Sequence, residues 1–339
     1  MTTNARAEQR ALDEREVEAL TRREATEGAN ARTLNERLSE RVKELCVDAR
    51  ARSRGERTAY ACEVRRSTCE DETSGLGLFA RGARTRGDVV AQYPGLTYVG
   101  RAVRYMKNYP RVSDGNEYLI ARSDGSVIDA KGWGRYFGDE DASWPGAPVD
   151  LSDEEKRAGE STSFLGRLLR PRLSEGRRMR LLEECRAIER RNAYAYAHVA
   201  NHPPAGTKPN VVVASVDVVV DGLDADLRRF IPNVNVEDDD DDGMDKERLL
   251  SILSDRTRSM SKRFSDAALA MFGEDEDKPR SVRETSRSAI RALVLIATRD
   301  IEDGEEIWLN YRLSPHVKPP SWYVRVDAEE DARRWAPET

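Results

Sequence analysis

Apolar positions recur in two rhythms along this chain. In residues 1–57, Leu34, Leu38, Val42 and Leu45 fall on one helical face, and Leu12, Val17 and Leu20 suggest a second stripe. Glu and Arg crowd the positions between them, which supports helix through i,i+4 pairing. The pattern predicts solvated helices with a thin apolar seam. Such a seam would also serve a partner helix, although the heptads are few. Gly28 and Gly55 are the expected breaks.

From Thr58 the rhythm shortens to β-like runs broken by glycine, at 60–64, 77–80, 88–93, 117–121, 126–129, 211–220, 292–298 and 306–309. No regular helix alternates with them. That argues against a doubly wound parallel sheet and for an α+β fold of mainly short strands. Two segments interrupt the texture. Residues 139–192 open as a Pro/Gly/Asp-rich loop and end in a charged helix near 175–191. Residues 222–288 hold Glu237 and the aspartates Asp238 to Asp242, then helical patterning at 249–253 and 267–272, and a second acidic stretch at 274–277. Like-charge blocks of this kind read as surface loops. The aspartates lack the alternating ligands and turn glycine of a calcium loop. The resulting organisation is a charged helical extension at 1–57, a β-rich domain at 58–315 with insertions at 139–192 and 222–288, and a tail at 316–339.

Composition narrows the class. At 339 residues the chain holds about two domain-equivalents of ~150 residues. A net charge of −6 excludes a globally basic nucleic-acid binder, and nothing signals direct nucleic-acid contact. No run approaches the ~18–20 apolar residues of a membrane span. An apolar signal core is missing at the N-terminus, so an intracellular protein is expected, nuclear or cytosolic, with an organellar address left open. Cys46, Cys62, Cys69 and Cys185 are scattered without a CxxC pair, and His198, His202 and His316 form no cluster with them. Neither a disulfide framework nor a zinc site is expected, and no metal is assigned.

The segment Gly75-Leu76-Gly77-Leu78-Phe79-Ala80 satisfies the dinucleotide fingerprint G-x-G-x-x-A. Its context refuses that reading. The fingerprint needs an apolar strand before it and a helix after it. Here Cys69-Glu70-Asp71-Glu72-Thr73 precedes, and a second glycine turn follows. What is left is a turn whose backbone can approach a ligand closely.

Three motifs in one order carry a more specific signal. The first is Gly75-x-Gly77-Leu78-Phe79-Ala80 with Gly87-Asp88-Val89-Val90 and Tyr93-Pro94-Gly95. The second is Asn201-His202 followed by Pro209-Asn210. The third is Ala297-Thr298-Arg299-Asp300-Ile301 with Gly304-Glu305-Glu306-Ile307-Trp308-Leu309-Asn310-Tyr311. Together they resemble the SET domain of protein-lysine methyltransferases, over about 240 of the 339 positions. Tyr93-Pro94-Gly95 and the Leu227-x-x-Phe230-Ile231-Pro232-Asn233 stretch are similar to the subgroup typified by SET domain-containing protein nine.

The resemblance implies a β-fold whose C-terminal segment threads in a pseudoknot-like way, with helical insertions. It implies transfer of a methyl group from S-adenosylmethionine to a lysine ε-amine of a histone or other protein, without a metal. By motif position Tyr311 is the catalytic-type tyrosine, and Tyr93 falls where a lysine-channel aromatic stands. Gly75, Gly77 and Leu78 would line the cofactor site, with Asn201 and His202 holding the cofactor beside Tyr311. Pro209 and Asn210 would shape the threading region.

Departures accompany the likeness. Asn201 and Asn210 are nine positions apart, three more than the commoner family pattern, and Pro203 and Pro204 replace the usual Ser-Cys. Leu309 stands where Phe or Tyr is usual in the lysine channel, which leaves the number of methyl groups open. No cysteine follows Cys185 in these 339 residues, so the family's zinc-bound closing module is not expected among them. Trp322, Tyr323 and Trp335 are candidates to pack back over the site in its place. The alternative function is a non-catalytic module of the same type that binds a peptide or protein and transfers nothing.

Overall fold

The computed structural model describes residues 5–21, 33–69, 75–98, 118–130, 133, 183–185, 187–236, 289–316 and 318–336. The aspartate run at 238–242, the patterned segments at 249–253 and 267–272, the acidic stretch at 274–277, Gly28 and most of 139–192 lie outside the described residues. The architecture is mixed α+β, with short strands in small sheets.

Two helices open the chain, α1 (Ala5–Thr21) and α2 (Leu34–Ser53). A capping box starts α2. Thr33 accepts from the Glu36 N–H at 3.2 Å, and Glu36 answers the Thr33 N–H at 2.7 Å. The antiparallel pair β1 (Ala61–Arg66) and β2 (Leu76–Arg81) follows. Then come β3 (Val89–Tyr93), β4 (Gly95–Tyr98), β5 (Leu119–Ala121) and β6 (Val127–Asp129). A 3-10 turn at Ala197–Val199 leads to β7 (Val211–Val219), the one-turn α3 (Ala225–Arg228) and β8 (Asn233–Val236). The long strand β9 (Ala289–Ala297) and the terminal helix α4 (Ala328–Arg334) close the chain.

The core sits on the antiparallel sheet β3-β9-β7. The run Ala292-Leu293-Val294-Leu295-Ile296-Ala297 of β9 is buried on both faces, as a central strand covered on both sides must be. Strand β7 alternates buried and half-buried positions, and α2 lies against it. Asn35 of α2 exchanges two hydrogen bonds with the Asp217 backbone at 3.0 and 2.7 Å, and Ser39 Oγ accepts from the Val219 N–H at 3.2 Å. The helix thereby covers an exposed strand edge.

This changes the reading of the N-terminal extension. Leu38, Val42, Leu45, Cys46 and Ala49 of α2 belong to the central hydrophobic cluster, and so do Val17 and Leu20 of α1. The seam expected on a solvated helix is therefore core. Leu12, expected in the second stripe, is exposed.

The sheet β5-β6-β4-β8 pairs β4 parallel to β8, joining positions 95–98 with 233–236. Strand β8 falls inside the stretch that sequence patterning reads as an interruption; its apolar Val234 and Val236 are buried. The expected strand at 306–309 is not one. Its residues make single bridges, Glu306 with Phe79 antiparallel, Trp308 with Asn201 parallel and Leu309 with Val211 parallel. Successive residues meet different neighbours, so no ladder forms. The expected runs 60–64, 77–80, 88–93 and 126–129 each overlap an observed strand within a residue or two at either end. The cysteines are free. Burial pushes the Cys46, Cys62 and Cys185 thiols up to about 12, which keeps them protonated near neutral pH.

Candidate functional site

Three remote segments meet where the single bridges form. Gly75 and the start of β2, Leu76, Gly77 and Leu78, form the first. The turn after Val199 supplies Ala200, Asn201 and His202. The segment 305–311 runs between them. Main-chain bonds stitch the three together. Ile307 N–H donates to Leu78 O at 2.7 Å, Leu309 N–H donates to Asn201 O at 2.8 Å, and Asn210 N–H donates to Trp308 O at 3.1 Å. Asn210 completes the junction with its side chain. Its amide donates to Glu306 O at 2.8 Å and to Glu305 Oε1 at 3.1 Å, and its Oδ1 accepts from the Trp308 N–H at 2.7 Å. Asn210 is thus a buried three-way cross-link between these segments.

Gly75 has φ 56° and is exposed, a conformation that favours glycine. Gly77 is glycine for a different reason. A Cβ there would lie 2.2 Å from Oε1 of Glu306. Glu306 is 4% exposed and accepts from Ser67 Oγ at 2.7 Å, from the Thr68 N–H at 2.8 Å and from the Thr68 hydroxyl. The Asn201 amide donates to Leu76 O at 3.0 Å and reaches Glu306 Oε1 at 3.5 Å. One buried carboxylate thus ties the glycine turn to Asn201. Sequence reading took Glu306 as part of a closing motif and missed this role. The available signal was an acid beside the apolar run Ile307-Trp308-Leu309.

His202 joins the site to the C-terminal tail. Its Nδ1 accepts from the Tyr311 N–H at 3.3 Å, and Nε2 lies 2.7 Å from Val324 O. This pair of contacts assigns the neutral ring with the proton on Nε2. Burial lowers its pKa, against hydrogen bonds that raise it. The Tyr323 ring stacks on the imidazole at 4.4 Å between centroids. Trp322 meets the Tyr311 ring edge-on at 6.1 Å. Trp335 instead donates its indole N–H to Arg312 O at 3.2 Å.

Tyr311 is 38% exposed, and its hydroxyl donates to Ala200 O at 3.1 Å. Tyr93 is 5% exposed, and its hydroxyl donates to Tyr118 O at 3.0 Å. Burial pushes the Tyr93 hydroxyl well above the usual phenol range, and Tyr311 adds to the shift. Both phenol oxygens keep lone pairs that can accept from an amine. Leu309 is 6% exposed and Leu78 fully buried, so their backbones rather than their side chains face the junction's hydrogen bonds. Leu76, Tyr311 and Val324 leave an exposed apolar rim around Asn201 and His202. The structure brings Gly75, Gly77, Leu78, Asn201, His202, Leu309 and Tyr311 together and sets Tyr93 behind them. Among the described residues, no group of three or more His, Cys, Asp or Glu side chains could hold a metal ion, and no helix is long and apolar enough to cross a membrane.

Compared with family models, with curated proteins and with solved structures, the chain matches none.

Proposed function

We propose that this chain is an S-adenosylmethionine-dependent protein-lysine methyltransferase with a SET-type site. The observation that carries the reading is the meeting of 75–78, 201–202 and 305–311 through single bridges and main-chain hydrogen bonds, with the partly exposed Tyr311 beside them, its hydroxyl on Ala200 O. These are the three motifs on which the sequence resemblance rests. The parallel bridges from Asn201 and Val211 to Trp308 and Leu309 are compatible with a threaded C-terminal segment.

The residues fit the cofactor in part. Exposed Gly75, the apolar rim at Leu76 and Val324 and the half-buried Asn201 amide offer both an apolar and a polar edge. The side of Gly77 is filled by Glu306, so Gly77 acts on the site indirectly. When bound, S-adenosylmethionine supplies a methyl group on a cationic sulfur. The chain's own part is to orient a lysine amine. Tyr311 and Tyr93 offer hydroxyl oxygens, and Ala200 and Tyr118 supply main-chain carbonyls that fix those hydroxyls. Neutral phenols position an amine without donating a strong acid. A desolvated surrounding lowers the lysine pKa and leaves the lone pair available. Alignment of this kind is proximity catalysis.

The expected partner is therefore a protein with an accessible lysine, histone or non-histone. The second reading, a peptide-binding module without transfer, is favoured by one feature, the near-complete burial of Tyr93.

Calorimetric titration with S-adenosylmethionine tests the first reading. Binding is expected, weakened about tenfold or more in Asn201→Ala through loss of a hydrogen bond. Methyl incorporation into a lysine-peptide array is then expected for the native chain and lost in Tyr311→Phe. A folded protein that fails to bind the cofactor would remove the enzyme reading and leave the peptide-binding one.

A further inference from the structure

Arg312 is the one non-glycine residue with positive φ among those described, at 51°. A side chain with a Cβ holds that left-handed conformation at an energetic cost, and only when its surroundings enforce it. Three contacts do so here. The Arg312 N–H donates to Asn310 Oδ1 at 3.1 Å. Its carbonyl accepts the Trp335 indole N–H at 3.2 Å. Its guanidinium Nε lies 2.6 Å from Glu330 Oε1. Two of the three partners belong to α4 and its C-cap.

Helix α4 is itself held by the opposite end of the chain. Arg334 meets both carboxylate oxygens of Asp13 on α1, at 2.9 and 2.8 Å, and also Glu330 at 2.7 Å. Arg333 donates through Nε to Gln9 Oε1 at 2.8 Å. The Asp13, Arg334, Glu330 and Arg312 side chains are 14–23% exposed, so solvent screens these pairs less than it would surface ones. The contacts run without a gap from α1 through α4 to the residue after Tyr311.

We propose that Arg312 is a positioning residue for Tyr311, locked in its strained conformation by a clasp between the first and last helices. The inference rests on the reading that Tyr311 orients the substrate amine. With the clasp closed, the Tyr311 peptide keeps its N–H on His202 and its hydroxyl on Ala200. With the clasp open, Arg312 relaxes out of the left-handed region and turns the Tyr311 peptide with it. The site is thereby conditional on α1, a segment that contributes no residue to it.

The test uses the full chain with 3-fluorotyrosine placed at position 311 and read by fluorine NMR. The native chain is expected to give one resonance. Asp13→Ala and Trp335→Phe should each broaden it or add a second resonance, on the order of a tenth of the intensity. Asp13→Glu, which keeps the ion pair, should restore the single resonance. A merely structural clasp would lower the melting temperature and leave the resonance unchanged, and that result would overturn the proposal. Trp335→Phe keeps the packing of α4, so the question stays open to refutation even if Asp13→Ala loses fold. Titration of the same samples with S-adenosylmethionine separates the two readings. Absent binding counts against the transferase, whereas an unmoved resonance counts against the clasp even where the cofactor binds.

Discussion

Two regions of this molecule are held together by different physics. The β3-β9-β7 sheet with α2 is a periodic apolar assembly. Leu293, Leu295, Ile296, Val42 and Leu38 are almost fully buried, β7 pairs with β9 in an unbroken ladder, and β3 pairs with β9 across one register shift between Val89 and Ala91. The junction of 75–78, 201–210 and 305–311 has single bridges in place of ladders and side-chain amides in place of apolar area. The first region draws its stability from area removed from water, which is non-directional. The second draws it from hydrogen bonds, which contribute little net but cost much when one partner is left alone. A residue in the sheet can be exchanged for another of similar volume. A residue in the junction can be exchanged only for one with the same donors and acceptors.

That contrast can be broken at several strengths. Leu38→Ala is expected to cost about 2–5 kcal/mol in denaturant unfolding, as a cavity in a close-packed core does. A loss below about 1 kcal/mol would mean that α2 is an appendage after all. Asn210→Ala should cost about 2–3 kcal/mol although it removes almost no apolar area, because the Trp308 N–H loses its acceptor in a buried place. Asn210→Leu should do no better, and recovery by leucine would place the junction in the same class as the sheet.

Gly77→Ala is expected to cost about 1–3 kcal/mol by overpacking against Glu306. The double variant with Glu306→Ala should fall short of the sum by about 1 kcal/mol, since the clash disappears with the carboxylate. Strict additivity would show that Gly77 is there for another reason.

The 3-10 turn between the two regions carries a pH signature. His198 is 7% exposed, and burial lowers its pKa from 6.5 to about 3. The unfolded chain therefore binds a proton that the folded chain refuses. Stability is full above pH 6.5 and falls as pH drops from there toward about 3. Between pH 7 and pH 6 the loss is under about 1 kcal/mol. His198→Gln should flatten this part of the pH profile; an unchanged slope would assign it to carboxylates elsewhere. The smallest effect belongs to neither region. The Arg50–Asp224 pair, at 3.3 Å with side chains 26% and 58% exposed, should change stability by no more than about 0.5 kcal/mol on Arg50→Ala.

Legibility in the sequence follows the same division. The strands at 89–93 and 211–219 are written as apolar runs and the patterning matches them, whereas for β9 it marks 292–298 and leaves out the first three residues, which include the charged Arg291. The helical stripe on α2 was equally visible, but a stripe does not say what covers it. Only the sheet showed that Leu38 and Val42 face β7 rather than water or a partner. In the site, the glycines, Asn201, His202 and Tyr311 were legible as motifs. Glu306 was not, because its partners Ser67, Thr68 and Gly77 lie more than two hundred positions away. Arg312 was invisible too, since its strain is a property of φ and not of residue type.

The sequence by itself determined the α+β class, most strand positions and local devices that start helices, such as the Thr33–Glu36 box of α2. These depend on side-chain period and on partners within a few residues. Tertiary structure alone decided the parallel pairing of β4 with β8, the convergence of the three site segments and the docking of the last helix on the first. An apolar face is attracted to any other apolar face, so periodicity names a surface without naming its neighbour. Partner choice needs the directional contacts, and those form only after the chain has brought remote residues within hydrogen-bond reach.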